Sequence, residues 1–292
     1  MRIVTLTAAG GSLDIVARSV GQKLSDAMGQ PVVVENRLGA GGNVGAEVVA
    51  KAPADGYTIL INSSAHAVNP AIYANLPYDT KRDFIDIVPL AIQPNVLVVA
   101  PDSKFNSVQD MVDFARKNPG VINWGHAGVG SGTHLSTEKM IAASGMKVTQ
   151  IPFKGTPEVV AAVMSKSVDA YWGPISAVIA NIKGGKLKAL ATGGAKRLST
   201  MPELPTVAEA GIPSYEASIW WGWASAGGTP EPILQKINTE VAAILKLPET
   251  GKRMAAEGAE SEASTIPQIR EMIKADLVKW AKVAADAKMP KI

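Results

Sequence analysis

Near the start of the chain, the stretch TLTAAGGSLDIVAR, residues Thr5 to Arg18, combines three sequence patterns. Thr5 ends an apolar, β-branched run typical of a strand, and a pair of glycines follows. From Leu13 onward, apolar residues recur at helical spacing. A helix that begins just beyond a strand presents unpaired N–H groups, which suit a carboxylate or a phosphate. The stretch therefore predicts an anion-binding turn in a fold of alternating strands and helices.

Strand and helix patterns alternate along the rest of the chain. Strands are predicted at residues 2–7, 32–35, 58–62, 121–124, 148–152, 169–172, 187–191 and 218–225, and helices at 13–28, 44–51, 108–117, 231–246 and 266–285. This order is typical of right-handed βαβ units and a mainly parallel sheet. So many strands would crowd one sheet, so two α/β lobes are expected. The apolar stretch 92–100, interrupted by Pro94, and the Gly-, Pro- and Ser-rich segment 192–218 are the expected crossings.

Composition excludes several classes of function. The 292 residues are 47% hydrophobic and 19% charged, which is typical of a folded chain with a large core. The net charge of +3 comes without a dense Lys or Arg run, so nucleic-acid binding is not indicated. No apolar run reaches the ~20 residues of a membrane span, and no secretory signal peptide precedes the first strand. The lack of cysteine rules out disulfides, thiolate catalysis and cysteine-based metal sites.

Other glycine-rich turns occur at Gly41-Gly42 and at residues 128–133. None has the spacing of a nucleotide P-loop or of a dinucleotide-binding turn, and the serine-hydrolase and zinc-protease motifs are absent. No catalytic residue, cofactor or metal site is therefore predicted. The three histidines, His66, His126 and His134, lack metal-ligand spacing and are interpreted as loop residues that make hydrogen bonds.

Asp14 and the tryptophans of two predicted strands could serve either the fold or the ligand site. Asp14 falls in the first turn of a predicted helix, where the helix dipole favours a structural carboxylate. Trp220, Trp221 and Trp223 share one predicted strand, and Trp172 ends another. Alternation along a strand places Trp220 and Trp221 on opposite faces, so one can pack in the core while the other faces a ligand.

The run from Gly10 to Arg18 resembles the G-G-x-x-D-x-x-A-R signature of the tripartite tricarboxylate transporter substrate-binding proteins, the Bug or TctC-like family. The resemblance continues in order through GQPVVVENRLGAGGNVGAEVVAKAPADGYTIL at residues 29–60. It extends through VTQIPFKGTPEVVAAV at 148–163 and IKGGKLKALATGGAKRLSTMPELPTVAEAGIP at 182–213. Several long co-linear motifs make this resemblance specific over nearly the whole chain. One departure lies in the first turn, where the family usually has prolines and this chain has Leu6-Thr7-Ala8-Ala9.

The resemblance implies a two-lobed periplasmic-binding-protein fold with the ligand cleft between the lobes. Lobe 1 would comprise residues 1–98 and 219–292, and lobe 2 residues 99–218. Such a protein captures a small carboxylate by hinged closure, delivers it transiently to a membrane permease and does no chemistry. A periplasmic monomer without a cofactor is expected. The implied ligand-binding residues are Ala9, Gly10, Gly11, Ser12, Leu13, Ser63, Ser64, Ala65, His66, Gly130, Ser131, Gly132, Thr133, Thr156, Trp172, Gly173 and Pro174.

Two alternatives to this function stay open. The same cleft would serve a sensory module that presents its ligand to a membrane kinase, and an α/β hydrolase or lyase is disfavoured by the missing catalytic motifs. Polar turns expected in both lobes favour a dicarboxylate as the ligand. The tryptophans Trp172 and Trp220 or Trp221 suggest an aromatic dicarboxylate such as terephthalate, with aliphatic C4–C6 diacids as the alternative.

Overall fold

The computed structural model describes residues 1–7, 9–128, 131–213, 215–286 and 291. The chain forms two compact units, of which the first comprises Met1–Ile92 and Trp220–Ile292 and the second Gln93–Ile219. The sequence placed the two boundaries after residues 98 and 218, and the structure places them after residues 92 and 219. No helix in the described ranges combines the length and the hydropathy needed to cross a membrane.

The first unit is an α/β unit around one sheet. Its strands β1, β2 and β3 pair in parallel in the order β2-β1-β3, and the antiparallel β9 follows beside β3. Its elements are β1 (Arg2–Thr5), α1 (Ser12–Met28), β2 (Val33–Asn36), a 3₁₀ turn (Ala40–Gly42), α2 (Asn43–Ala50), β3 (Thr58–Ser63), α3 (Ala65–Ile72), the start of β4 (Phe84–Val99), the end of β9 (Ser218–Ala226), α8 (Glu231–Leu245), α9 (Pro248–Ala256), β10 (Glu260–Ser261) and α10 (Ile266–Asp286).

Helix α1 shows how the sequence builds this unit. Its apolar residues Val16, Val20 and Leu24 recur at helical spacing and are fully buried. The helix ends at Gly29, whose φ of 61° is the left-handed conformation that glycine adopts without strain. Gly21 lets the helix approach the sheet closely, because a Cβ there would lie 3.1 Å from the Ile3 side chain.

The second unit repeats the parallel arrangement in the order β6-β5-β7, with the end of β4 antiparallel to both β7 and β8. Alternate residues of β4 enter two hydrophobic clusters, Leu97 and Val99 in one and Val96 and Val98 in the other. Its other elements are α4 (Val108–Lys117), β5 (Asn123–His126), α5 (Gly132–Ser144), β6 (Thr149–Pro152), α6 (Thr156–Met164), β7 (Ala170–Pro174), α7 (Ile175–Lys183) and β8 (Lys188–Thr192).

Most predicted elements are found within two residues of their expected ends, and the exceptions have physical causes. The predicted strand at 92–100 is the last part of β4, which starts at Phe84 and continues through Pro94. The sequence did not predict α9 or β10, because α9 is short and begins directly after α8. Helix α4 begins with a side-chain cap, since the Ser107 hydroxyl accepts a hydrogen bond from the Asp110 N–H at 3.0 Å.

Candidate functional site

The first glycine-rich turn joins β1 to α1 in the first unit. Gly10 has a φ of 83°, and Gly11 is the N-cap residue of α1. Glycine has no side chain to cap the helix, and the first bond within the helix is donated by Ile15 to Gly11 O at 2.9 Å. The N–H groups of the first helical turn are therefore left for another acceptor.

A buried carboxylate holds this turn in place. Asp14 Oδ2 accepts the Gly10 N–H at 2.9 Å and Arg18 Nε at 3.0 Å, while Asp14 Oδ1 accepts Asn36 Nδ2 at 2.8 Å. Asn36 Nδ2 also donates to Thr7 O at 2.9 Å, so the end of β2 is tied to the same turn. Burial alone would raise the pKa of Asp14, but the hydrogen bonds from Arg18, Gly10 and Asn36 keep it below its ordinary value.

This network confirms Asp14 as a structural acid and corrects one predicted contact. The Gly10 N–H was expected to face the ligand. It donates to the Asp14 carboxylate instead and is therefore not available to a ligand. Leu13 was also a predicted ligand residue, but its side chain is buried in the core. Leu13 can contribute only its backbone N–H. Ala9 is exposed beside the turn.

The second predicted loop of this unit lies where β3 passes into α3. Ser64 N donates to Trp220 O at 3.1 Å, and the Ser64 hydroxyl accepts the Trp220 N–H at 3.0 Å, so Ser64 fastens β9 to the end of β3. The Ala65 N–H donates to Ser63 Oγ at 3.4 Å. Ser64 therefore has an architectural role, and its hydroxyl hydrogen remains as a donor.

His66 is not the loop residue that the sequence predicted, and its contact with a ligand stays a prediction. It lies in α3, it is buried, and its ring meets Phe84 edge-on with 4.8 Å between centroids. Burial lowers the pKa of His66 to about 4, so the ring is neutral at physiological pH.

The glycine-rich turn of the second unit precedes α5 and is capped by its own side chains. The Ser131 hydroxyl accepts the His134 N–H at 3.3 Å, which is an N-cap bond. The Thr133 hydroxyl accepts the Ala127 N–H at 3.0 Å and lies 3.1 Å from Ser131 Oγ. Gly132 is required by packing, because a Cβ there would lie 2.9 Å from Ile219 Cδ1.

A tyrosine joins this turn to the next predicted contact. The Tyr171 hydroxyl donates to Thr156 Oγ1 at 3.1 Å, at the first residue of α6, and also interacts with the Thr133 hydroxyl. Burial raises the pKa of Tyr171 to about 12, so the phenol stays protonated. The second unit thus gathers a row of neutral hydroxyl groups at the starts of α5 and α6.

Two histidines lie next to this turn on regular elements and not in loops as predicted. His126 ends β5 and stacks on His134 of α5, with 4.4 Å between ring centroids. His134 Nε2 lies 3.5 Å from Glu138 Oε1, which also accepts Gln150 Nε2 at 2.6 Å. Burial, helped by the neighbouring His134, lowers the pKa of His126 to about 4. Within the described ranges, no group of three His, Asp or Glu side chains could hold a metal ion.

The expectation that Trp172 offers a flat face to the ligand is wrong. Its indole is fully buried in the core of the second unit and stacks on Tyr215, with centroids 5.3 Å apart and planes 15° apart. Gly173 is needed because a Cβ would collide with the Val178 and Tyr171 side chains. Pro174 caps α7 and has no N–H to offer. The end of β7 therefore contributes packing at these three predicted positions.

The tryptophans of β9 are buried as well. Trp220 Nε1 donates to Asp276 Oδ2 at 2.7 Å, which fixes its indole against α10 and contradicts a ligand-facing role. Trp223 is fully buried. Trp221 is opposite Ser63 in the sheet register, beside the β3–α3 loop, and its contact with a ligand stays a prediction. Gly130 and the Ser12 side chain were also predicted contacts and lie outside the described residues.

Three residues that shape these turns were missed by sequence reasoning. Asn36 donates to Asp14 from the end of β2. Tyr171, which donates to Thr156, lies next to Trp172, the residue that the sequence predicted as a ligand contact. Asn95 of β4 is fully buried and donates to Ser136 Oγ at 3.0 Å at the start of α5. Each is a polar residue at the end of a strand or inside it, since Asn36 ends β2 and Tyr171 and Asn95 lie within β7 and β4. This pattern could have identified them from the sequence.

Comparison with known proteins decides the family. The family model of the tripartite tricarboxylate transporter family receptor matches residues 16–288. The chain belongs to this family. Its relatives include BugT of Bordetella pertussis, 34% identical over 279 residues that cover 95% of this chain and 86% of BugT.

Solved structures of similar proteins support the same assignment. An R. palustris protein, Rpa4515 with adipate, is 32% identical with a TM-score of 0.85, covering 100% of this chain and 98% of that chain. The periplasmic binding protein BugD is 32% identical with a TM-score of 0.80 and the same coverage. MatC from Rhodopseudomonas palustris with bound malate is 27% identical with a TM-score of 0.79, covering 97% and 98%. The α/β fold predicted from the sequence is confirmed.

Proposed function

We propose that this protein is a periplasmic receptor that binds a small aliphatic dicarboxylate and passes it unchanged to a membrane permease. The observation that carries the proposal is the uncapped start of α1. This 17-residue helix begins at a glycine N-cap, so the N–H groups of its first turn have no acceptor from the capping residue. Their partial positive charge makes a carboxylate the favoured occupant.

The Asp14 network makes this turn ready for a ligand. Three donors fix the Asp14 carboxylate, and the carboxylate in turn fixes Gly10, so the turn loses little entropy when a ligand binds. Each N–H that meets a ligand carboxylate forms a charge-assisted hydrogen bond, which offsets part of the cost of desolvating the anion. The second unit adds Ser131, Thr133 and Thr156 as proposed contacts to ligand oxygens.

A dicarboxylate is supported by the relatives, since adipate and malate, the compounds found with Rpa4515 and MatC, both carry two carboxylates. An aliphatic body is supported by the tryptophans. Trp172 is held in the core by Tyr215 and Trp220 by Asp276, which leaves Trp221 as the remaining candidate for stacking on an aromatic ring. We therefore rank C4–C6 aliphatic diacids above terephthalate.

A binding screen tests this proposal. Thermal unfolding is measured with succinate, malate, adipate and terephthalate, and with butyrate and hexanoate as monocarboxylate controls of matched length. Aliphatic diacids are expected to raise Tm, because a ligand at 100 times its Kd adds about 2.7 kcal/mol to the free energy of unfolding. Calorimetry then gives Kd for each compound that raises Tm.

Three outcomes would contradict parts of the proposal. If none of the acids changes Tm, the carboxylate receptor assignment fails. If hexanoate binds as tightly as adipate, the second carboxylate is not recognised. If NMR shows that a bound acid is converted to another compound during incubation, the protein is an enzyme and the ligand is its substrate.

A further inference from the structure

A cavity lies entirely within the first unit, and its lining includes no residue of either glycine-rich turn. Its volume is about 510 Å³, within the range of small-molecule sites. The cavity is formed by the segment that leads into β4, the start of α8 and one face of α10. Its walls combine apolar and ionisable side chains. The residues that matter below are Thr80, Phe84, Asp86, Glu231, Arg270 and Ile273.

Two polar atoms on the cavity wall have no hydrogen-bond partner. Thr80 Oγ1 is one, and Thr80 is only 8% exposed. Asp86 Oδ1 is the other, and the side chain of the fully buried Asn62 lies beside the Asp86 carboxyl and favours its ionised form as a hydrogen-bond donor. Buried polar groups in native proteins almost always have a partner, so these atoms call for an occupant of the cavity. Both wall atoms are oxygens, which favours an occupant that donates hydrogen bonds.

The charges around the cavity favour a cationic donor, because the arginine and the lysine of α10 are paired and the third cation on the wall, Lys81, is exposed to solvent. Arg270 Nη2 lies 3.1 Å from Glu231 Oε2 and Lys274 Nζ lies 3.5 Å from Glu271 Oε2, so each of these α10 cations is matched by a carboxylate. Among the described residues, no cation comes within ion-pair distance of Asp86. An anionic ligand would bring a second negative charge toward Asp86, whereas an ammonium would neutralise it.

We propose that this cavity binds a primary ammonium group on a short alkyl chain, with Asp86 as the ionic partner and Thr80 as a second acceptor. An ammonium has three N–H donors and so can satisfy both oxygens at once. The apolar side chains of Phe84 and Ile273 are on the wall for the alkyl chain to cover. This site is independent of the carboxylate site, because it shares no residue with either glycine-rich turn.

The protonation of Asp86 gives the site a pH dependence. Burial raises the pKa of Asp86 to about 7, although the Arg270 charge opposes this. An alkylammonium keeps its proton up to about pH 10, so its affinity should rise about tenfold from pH 6 to pH 8 as Asp86 ionises. His66 packs on Phe84 and is neutral in this range because its pKa is about 4. The other charged groups that face the cavity are Lys81, Glu231, Arg270 and Lys274.

The test is an NMR titration of the full-length protein with n-butylammonium chloride, with n-butanol as the neutral probe of equal length. The proposal expects saturable shifts at Thr80 and Asp86, and tighter binding of butylammonium than of butanol. Asp86→Asn should weaken butylammonium binding at least about tenfold and Thr80→Val about threefold. Asp26→Asn, which removes an exposed carboxylate of α1 in the same unit, is the matched control and should change Kd by less than about twofold.

Several results would overturn the proposal. Equal affinity for butanol would show that the cavity recognises the alkyl chain and not the charge. An equal loss in Asp86→Asn and Asp26→Asn would indicate general electrostatic attraction. Lack of saturable binding at pH 8 would mean that the cavity holds only water. Binding of adipate at the α1 turn is unaffected in each case, so these failures are distinguishable from failure of the proposed function.

Discussion

The two glycine-rich turns of this protein precede similar helices but are held in different ways. The turn before α1 is fixed by a buried charge, since Asp14 collects donors from Gly10, Arg18 and Asn36. The turn before α5 is fixed by neutral hydroxyls, since Ser131 caps the helix and Thr133 accepts the Ala127 N–H. The first arrangement leaves the helix start uncapped, and the second satisfies one of its N–H groups from within.

This difference indicates how one sequence pattern can serve two purposes. The Asp14 carboxylate, in the first turn of α1, fixes the loop through its hydrogen bonds. The unpaired N–H groups of that helical turn remain available to bind an anion. A serine at the N-cap closes one of those N–H groups and leaves hydroxyls, which can donate to or accept from a ligand. We therefore expect the first turn to respond to the charge of the ligand and the second to its hydrogen-bonding groups.

The largest expected effect comes from removing the charge that holds the first turn. Asp14→Ala leaves the Gly10 N–H without its acceptor and removes one acceptor each from Arg18 and Asn36, which costs about 3 kcal/mol of unfolding free energy. Urea unfolding should show a lower midpoint at an unchanged m-value, and adipate affinity should fall because the turn is no longer fixed. Asp26→Ala is the control, since Asp26 is exposed on the same helix and bonds only to Gln22. A loss of less than about 1 kcal/mol would show that the turn does not depend on this carboxylate.

The pH dependence of the unfolding free energy should distinguish the turn before α5, which neutral groups hold, from the turn before α1, which the Asp14 charge holds. The pKa of His126 is lowered to about 4, so the unfolded chain takes up a proton near pH 6.5 that the folded chain excludes. Stability contributed by His126 is therefore present at pH 7.5 and lost as the pH falls from 6.5 toward 4. His126→Gln should reduce the loss between pH 7.5 and pH 5 by about 2 kcal/mol. Comparing the variant with itself at two pH values cancels any pH-independent cost.

Asp14 responds in a lower pH range. Its pKa lies below the ordinary value of 3.8, so its contribution is complete above about pH 5 and is lost as the pH falls through the lowered pKa. His66 shares the direction of His126, and Asp86 acts in the opposite direction because its pKa is raised. A His126→Gln variant with the same acid response as the unmodified protein would show that His126 is protonated as easily in the folded state as in the unfolded one.

The next prediction introduces into the first turn the serine cap that the second turn has. Gly11→Ser introduces a cap at the start of α1, and the φ of −72° and ψ of 156° at this position suit any residue. The new hydroxyl should compete with the ligand for the first-turn N–H groups and weaken adipate binding about tenfold, or 1.4 kcal/mol. Stability of the ligand-free protein should rise by a few tenths of a kcal/mol. Unchanged affinity by calorimetry would remove these N–H groups from the proposed site.

The smallest effect is expected at the cap of the second turn. Ser131→Ala removes the acceptor of the His134 N–H and should cost about 1 kcal/mol of unfolding free energy. If Ser131 also contacts the ligand, adipate affinity falls in addition, and calorimetry on the same variant measures it. Ser131→Thr keeps a hydroxyl cap and should restore stability. Failure of Thr to restore it would indicate that the serine acts through packing and not through its hydroxyl.

The sequence predicted the first turn better than the ends of the strands. Local spacing identified the Gly10-Gly11 turn, the helix that follows and the structural role of Asp14, because a first-turn acid and a glycine N-cap act within one helical turn. At the end of β7 the same reasoning chose Trp172 and missed Tyr171. Both side chains are fully buried, Trp172 in one hydrophobic cluster and Tyr171 in the other. Which cluster each of them enters depends on how the strand is oriented against α5 and α6, and a shift of one residue reverses it.

The sequence by itself determined the order of strands and helices, the family, and the positions of the glycine-rich turns, since periodicity and glycine conformations are properties of neighbouring residues. Tertiary structure alone decided the partners of the polar side chains. Asn36 meets Asp14 from 22 residues away, Trp220 meets Asp276 from 56 away, and Asp86 is left unpartnered at a cavity. The reason is that a buried polar group is paired by whatever the packed elements bring within about 3 Å, and this depends on register and packing across the whole unit.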